Sequence, residues 1–170
     1  MQPGTVPLDR RPRPGHAPAV ASGVLIHRVG RLEVASAAGL LTRFFVEEGF
    51  ALPDEGLEPR VGTYLSLDHH ALFLARADGG DVGVVTIEAG YSLEYGWVAE
   101  IEDLYVLPDH RGRGIAKALV ERACDHARDD GCSAVLVTVT AEGQARHDLM
   151  GFYGRLGFTD EGRRLMERRL

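Results

Sequence analysis

Cysteine is scarce in this chain. Cys124 and Cys132 are the only two, too few for the disulfide framework of a small secreted domain, and their spacing matches no metal-binding pattern. Both read as small buried hydrophobes. No apolar run approaches the roughly 20 residues that cross a bilayer, and no signal-like apolar stretch follows Met1. A cytoplasmic protein without membrane contact is the expectation. Basic residues are outnumbered: 19 Lys and Arg stand against 25 Asp and Glu, for a net charge of -6. The first twenty residues carry net +2, so the remainder carries -8. That sign argues against nucleic acid as a partner and suits a cationic ligand. The seven histidines show no ligand spacing either, and adjacent His69 and His70 would point apart on a strand. No metal is expected.

What the chain does have is ordinary for one globular domain: 170 residues, 45% hydrophobic and 26% charged. Proline recurs at 3, 7, 12, 14 and 18, so residues 1–20 read as a disordered tail. Residues 21–170 read as a single α/β domain. Val24–Arg28 is β-prone. Helical spacing of Val34, Ala37, Ala38, Leu41, Phe44 and Phe45 predicts a helix over Glu33–Gly49. A short helix follows over Arg60–Leu67. Ala71–Ala77 and Val82–Glu88 flank Asp78-Gly79-Gly80-Asp81 as a hairpin. Glu100–Leu107 is a further strand. Gly114–Asp129 is a helix closed by Gly131. Ala134–Thr140 reads as a strand covered on both faces. Gln144–Arg155 is read as one helix with Gly157 as its C-cap, then a terminal strand from Phe158 and a hairpin arm over Arg163–Arg168. The early hairpin implies antiparallel pairing and the strand-helix-strand run over 100–140 a parallel crossover, so the central sheet should be mixed and flanked by helices.

The strongest chemical signal is Val106-Leu107-Pro108-Asp109-His110-Arg111-Gly112-Arg113-Gly114-Ile115-Ala116. A strand ends, a glycine turn follows and a helix opens with unsatisfied amides, which together suit a phosphate. Gly112 and Gly114 allow close backbone approach, and Arg111 and Arg113 add positive charge. The dinucleotide pattern G-x-G-x-x-G fails at Lys117, and the P-loop pattern fails as well. His110 beside the turn either touches a phosphate or sits on the surface.

These residues resemble the pyrophosphate motif Arg/Gln-x-x-Gly-x-Gly/Ala of the GNAT superfamily of N-acetyltransferases, matched by Arg111, Gly114 and Ala116. The resemblance covers roughly residues 24–170. It implies a GNAT fold and acetyl-CoA as cosubstrate, with the pyrophosphate on the amides of 111–116, Ile115 included. The pantetheine arm would pair with the backbone of Leu104, Tyr105 and Val106. It also raises a homodimer as the assembly to consider.

Acetylation needs a neutral amine, and deprotonating an alkyl amine at pH 7 costs on the order of 4 kcal/mol, so a carboxylate at the site would help. Strict alternation puts Glu100 and Glu102 on one strand face with Leu104 and Val106, and Asp103 on the other with Ile101 and Tyr105. The segment Ile101–Val106 is similar to the acidic strand of small-amine acetyltransferases, which implies Glu102 as base, or as a residue that only orients the acceptor. A backbone amide near Leu104 or Tyr105 would stabilise the oxyanion. Phe152-Tyr153 and Gly157-Phe158 resemble the family's F-Y-x-x-x-G-F motif, which implies Tyr153 as the acid that protonates the leaving thiolate. The family's Asn and Ala positions before it carry Arg146 and Leu149 here, so Arg146 or His147 takes over the pantetheine contact or faces solvent.

Residues 89–97 read as a loop concentrating Tyr91, Tyr95 and Trp97 around Glu94. With Glu100 they form a candidate acceptor site that flanks a cation or a sugar ring. The expected acceptor is a small cationic amine, polyamine-like or an aminoglycoside-type antibiotic. A protein N-terminus or lysine is the alternative, and a non-catalytic acetyl-CoA sensor stays open.

Overall fold

The computed structural model describes residues 19–21, 23–166 and 168, with only the backbone course for 19–21. Residues 1–18 of the expected tail lie outside them. Six strands form one sheet in chain order. β1 (Ala19–Ala21), β2 (Val24–Arg28), β3 (His70–Ala77), β4 (Gly80–Ser92) and β5 (Gly96–Val106) pair antiparallel in succession, and β6 (Ala134–Val137) joins β5 in parallel. The helices are α1 (Val34–Glu48), α2 (Glu58–Tyr64), α3 (Ile115–Asp129), α4 (Ala141–His147) and α5 (Leu149–Gly154). The sheet is mixed and flanked by helices, as its sequence pattern requires.

The apolar run of β3 explains the layering. Leu72 and Leu74 face a core shared with α1 and α2, which supply Ala37, Leu41 and Val61, while Ala71 and Phe73 face a second core built on α3 through Ile115, Leu119 and Ala123. Side chains at successive positions bury on opposite faces, so one strand feeds two cores. Among the described residues no helix is long and apolar enough to cross a membrane.

Several expectations shift. β1 begins inside the stretch assigned to the tail, because Ala19–Ala21 pairs with Val24–Ile26. α2 starts at Glu58, two residues early, since Pro59 is tolerated in a first turn. Residues 89–97 are mostly strand: Tyr91 pairs with Trp97 and Ser92 with Gly96, leaving Leu93–Tyr95 as the turn. β6 stops at Val137 and has Leu136 partly exposed, because it is an edge strand. Thr140 instead caps α4, its hydroxyl accepting from Gly143 N–H at 3.0 Å. The single helix expected over 144–155 breaks into α4 and α5 at Asp148, which adopts φ 47°. Gly151 accommodates that break, since a Cβ there would strike the Asp148 carboxylate. The described residues from Phe158 onward form no strand.

The most consequential correction concerns β5. Its register against β4 passes from Val85↔Leu104 to Ile87↔Ile101, so two residues of β5, Glu102 and Asp103, oppose Thr86 of β4. This β-bulge resets the alternation. Ile101, Leu104 and Val106 therefore share the α3 face, whereas Tyr105 lies in the α1–α2 core. Asp103 joins that latter face, bonded to Thr86 of β4.

Candidate active site

β5 and β6 separate where the bulge begins. Their pairing spans Val98–Ile101 against Ala134–Val137 and goes no further. On its other edge β5 stays bound to β4, with Leu107 N–H donating to Val82 C=O at 2.9 Å. Backbone groups alternate, so those of Leu104 and Val106 point into the fork that β6 leaves open, while Tyr105 pairs with Val84. The predicted backbone contacts at Leu104 and Val106 thus face the fork, and the one at Tyr105 does not.

The glycine turn lies at the end of the same strand. Gly112 and Gly114 adopt φ 73° and 78°, and a Cβ on either would meet no atom within 4 Å. The first helical bond of α3 runs from Ala118 N–H to Gly114 C=O at 3.0 Å, and no side chain caps the helix. The amides of Ile115, Ala116 and Lys117 thus precede the helical ladder, at the positive end of a 15-residue helix.

Both arginines of the turn are already engaged. Arg111 donates through Nε to Val106 C=O (2.9 Å) and through Nη2 to Glu47 (2.6 Å), with its guanidinium 5.5 Å from the Tyr105 ring centre. Tyr105 donates its hydroxyl to the same Glu47. Arg113 donates to Asp78 at 3.0 Å and lies 3.0 Å from His110 Nδ1. Arg146 donates to the Glu47 carbonyl and to Glu48, and His147 Nε2 lies 2.9 Å from Glu48. So Arg146 and His147 tie α4 to the end of α1. Ligand atoms of Glu47, Glu48 and His147 come within 4.8 Å of one another, but a metal ion there would compete with two guanidinium groups.

The bulge gathers carboxylates. Glu88 of β4 and Glu100, Glu102 and Asp103 of β5 approach one another on the α2 side, and Glu100 also accepts from Thr138 at 2.9 Å. Desolvation pushes the Glu102 carboxyl up, with the charges of Glu88, Asp103 and Glu100 adding to it, although the residue keeps solvent contact. Desolvation also pushes Asp103 up, its one bonded partner being Thr86. Raised carboxyl pKa values mean stability that is full below the unfolded value and lost as pH rises through the folded one. Asp103→Asn should therefore raise the melting midpoint at pH 8, with the gain shrinking as pH falls toward the ordinary carboxylate range. Thermal scans across that range check this.

Tyr153 is 6% exposed and packs in the α3-side core, edge-on to Phe152 and Phe158. Burial pushes its hydroxyl up to about 12, with Cys124 contributing. Glu102 and Tyr153 thus belong to opposite faces of the sheet, and the fork is the opening between those faces. In the β4–β5 hairpin, Tyr91 and Trp97 meet edge to face at 5.7 Å, and His69, at φ 65°, lies 4.5 Å from Trp97. Glu94 is held by Arg163 through bonds of 2.6 and 3.1 Å, with the guanidinium over Tyr95.

The sequence profile of the Acetyltransferase (GNAT) family matches residues 38–158. The chain belongs to the GNAT family. Among its relatives, glucosamine 6-phosphate N-acetyltransferase 1 of Oryza sativa subsp. japonica is 31% identical over 79% of this chain and 82% of its own length. Streptothricin acetyltransferase of Streptomyces lavendulae is 30% identical over 69% of this chain and 57% of its own. The fold is similar to that of AAC(6')-Iy, solved in complex with the bisubstrate analogue CoA-S-monomethyl-acetylneamine, with TM-score 0.77, 23% identity, and coverage of 88% of this chain and 99% of that one.

The GNAT enzyme is an acetyl-CoA-dependent N-acetyltransferase. Acetyl-CoA supplies the activated acetyl thioester, and the residues present suit it. Open space lies over both glycines, free helix amides follow, and the backbone of Leu104 and Val106 turns into the fork. Gly114→Val should weaken acetyl-CoA binding at least about tenfold. Any L-residue at φ 78° costs roughly 1–2 kcal/mol, and the branched side chain would fill the open space. Calorimetry on the folded variant reads the affinity.

Tyr64, Glu88 and Glu47 escaped the sequence reading. Tyr64 stands three residues after buried Val61 on α2, a helical spacing that turns it toward the sheet. Glu88 continues the alternation of Val84 and Thr86. Nothing local in the sequence marks Glu47, which meets Arg111 across 64 positions.

Proposed function

We propose that this GNAT enzyme acetylates a primary amine of a small cationic molecule, polyamine-like or of the aminoglycoside type, by direct attack on the thioester. The observation that carries this is the group of Glu88, Glu100, Glu102 and Asp103 on one face at the mouth of the fork. An ammonium group is attracted there. Glu102, raised by desolvation and like charges yet open to solvent, then accepts its proton and passes it to water. The amine attacks through the fork, and Tyr153 on the far side gives its proton to the sulfur as the C–S bond breaks. Tyr91 and Trp97 at the hairpin offer flat apolar faces to the acceptor's body. Glu94 and Tyr95 contribute less directly, since Arg163 engages both. The names of two relatives, for glucosamine 6-phosphate and streptothricin, agree with a small-molecule acceptor.

The test is thiol release from acetyl-CoA against polyamines, aminoglycosides, glucosamine 6-phosphate and short peptides at two salt concentrations. A polycation should be the best acceptor. Its KM should rise with salt, because attraction between partly exposed charges is screened over a Debye length of ~8 Å. A peptide or an anionic sugar as the best acceptor, without a salt effect, would overturn the reading.

A further inference from the structure

Among the described residues the Tyr64 side chain is a buried polar group at this site that has no settled partner. Its hydroxyl oxygen is shielded from water and completes no hydrogen bond of ordinary geometry. Buried hydroxyls are normally satisfied, so an orphan one beside carboxylates asks for an acceptor that a small side-chain shift brings to it. The groups around it are few. Glu102 across the bulge and Glu88 on β4 present negative charge, and the Thr86 hydroxyl lies on the same face. His70 packs edge-on against the Tyr64 ring at 4.7 Å, and its Nε2 lies 3.0 Å from Glu88. His70 Nδ1 meets the carbonyl of Asp68 at 2.9 Å. The ring is therefore braced from β3, while α2 itself is anchored by Leu57 and Val61.

We propose that Tyr64 is a positioning residue of the acceptor site, its hydroxyl donating to the Glu102 carboxylate. A phenol has one hydrogen to give, and the carboxylate needs a donor to hold it in one rotamer toward the incoming amine. Tyr64 thus acts on the acceptor through Glu102. Burial and the charges of Glu102 and Glu88 keep the phenol protonated, so it serves as a donor throughout the working pH range. The proposal rests on Glu102 as base.

The test is Tyr64→Phe, with Tyr64→Met as a second variant that also lacks the hydroxyl but packs differently. Either folded variant should bind acetyl-CoA as the wild type does. The acceptor KM should rise about tenfold. The acid limb of the pH profile of kcat/KM should move to higher pH, because a donor that favours the Glu102 carboxylate has gone while Glu88, Asp103 and Glu100 still oppose its charge. In the double variant with Glu102→Gln, the Tyr64 substitution should add little. An unchanged acceptor KM with an unmoved acid limb overturns the proposal. So does equal loss of acetyl-CoA affinity, which would mark Tyr64 as structural only. If Glu102→Gln alone costs no rate, the base assignment fails instead. If it costs rate and the Tyr64 variants match wild type, only the Tyr64 role fails.

Discussion

Glu102→Gln should lower kcat by roughly 10²–10⁴-fold, the range associated with general acid–base catalysis, and leave acetyl-CoA affinity unchanged. Glutamine keeps the shape and loses the basic oxygen. The pH dependence separates a base from an orienting group. Desolvation and the charges of Glu88, Asp103 and Glu100 hold the Glu102 carboxyl above its ordinary value. In the wild type, activity should therefore grow as pH rises through that raised value, where the carboxylate form appears. In the variant that limb should vanish. Rate should then climb only at higher pH, with the fraction of free amine, whose ordinary pKa is near ~10. Steady-state profiles from pH 5 to 10 decide between the roles. A variant with unchanged kcat and a raised acceptor KM would make Glu102 a positioning residue.

Tyr153→Phe should lower kcat by roughly 10²-fold, the low end of the same range, with acetyl-CoA affinity and acceptor KM close to wild type. The low end follows from the site itself. A phenol held at about 12 is a weaker acid than a thiol of ordinary pKa ~8.5. Full transfer to a solvated thiolate would run uphill. In the α3-side core that buries Tyr153, the thiolate would also lose solvation and become more basic, which narrows the gap. The hydroxyl thus hydrogen-bonds the sulfur as negative charge develops there, and its proton passes over only as the C–S bond breaks. Removing one oxygen from a packed ring should leave the edge-to-face contacts with Phe152 and Phe158 intact. Burst-phase thiol release would separate a slowed chemical step from slowed product loss. An acyl donor with a better thiol leaving group should recover part of the lost rate.

The glycine turn before α3 was the most legible part of the chain, because its signal is local. Gly112 and Gly114 are needed at positive φ, and a helix opens immediately after them. The apolar run of β3 was legible for the same reason, since Ala71–Ala77 is β-prone and ends at the turn signal Asp78-Gly79. The faces of β5 were not. Strict alternation placed Glu102 with Leu104 and Asp103 with Ile101, but the extra residue opposite Val85–Ile87 resets the phase. A bulge depends on how two strands pair, and no single strand's sequence carries that. The break at Asp148 escaped in a similar way, because Gly151 reads as a weak helical residue until the carboxylate lying against it is seen.

The arginines show the same division. Arg111 and Arg113 read as phosphate ligands from their place in the turn, and the carboxylates that both meet, Glu47 on α1 and Asp78 in the β3–β4 turn, were not legible. By itself the sequence determined the family, the mixed sheet flanked by helices and the glycine turn that opens α3, since each follows from residue types at fixed short spacings. Only the tertiary structure decided which carboxylates share a face, that the fork opens beyond Ile101, and that Tyr64 faces Glu102. Those features come from strand register and from helices packed across long stretches of chain, where the energy of a contact depends on partners the local sequence does not name.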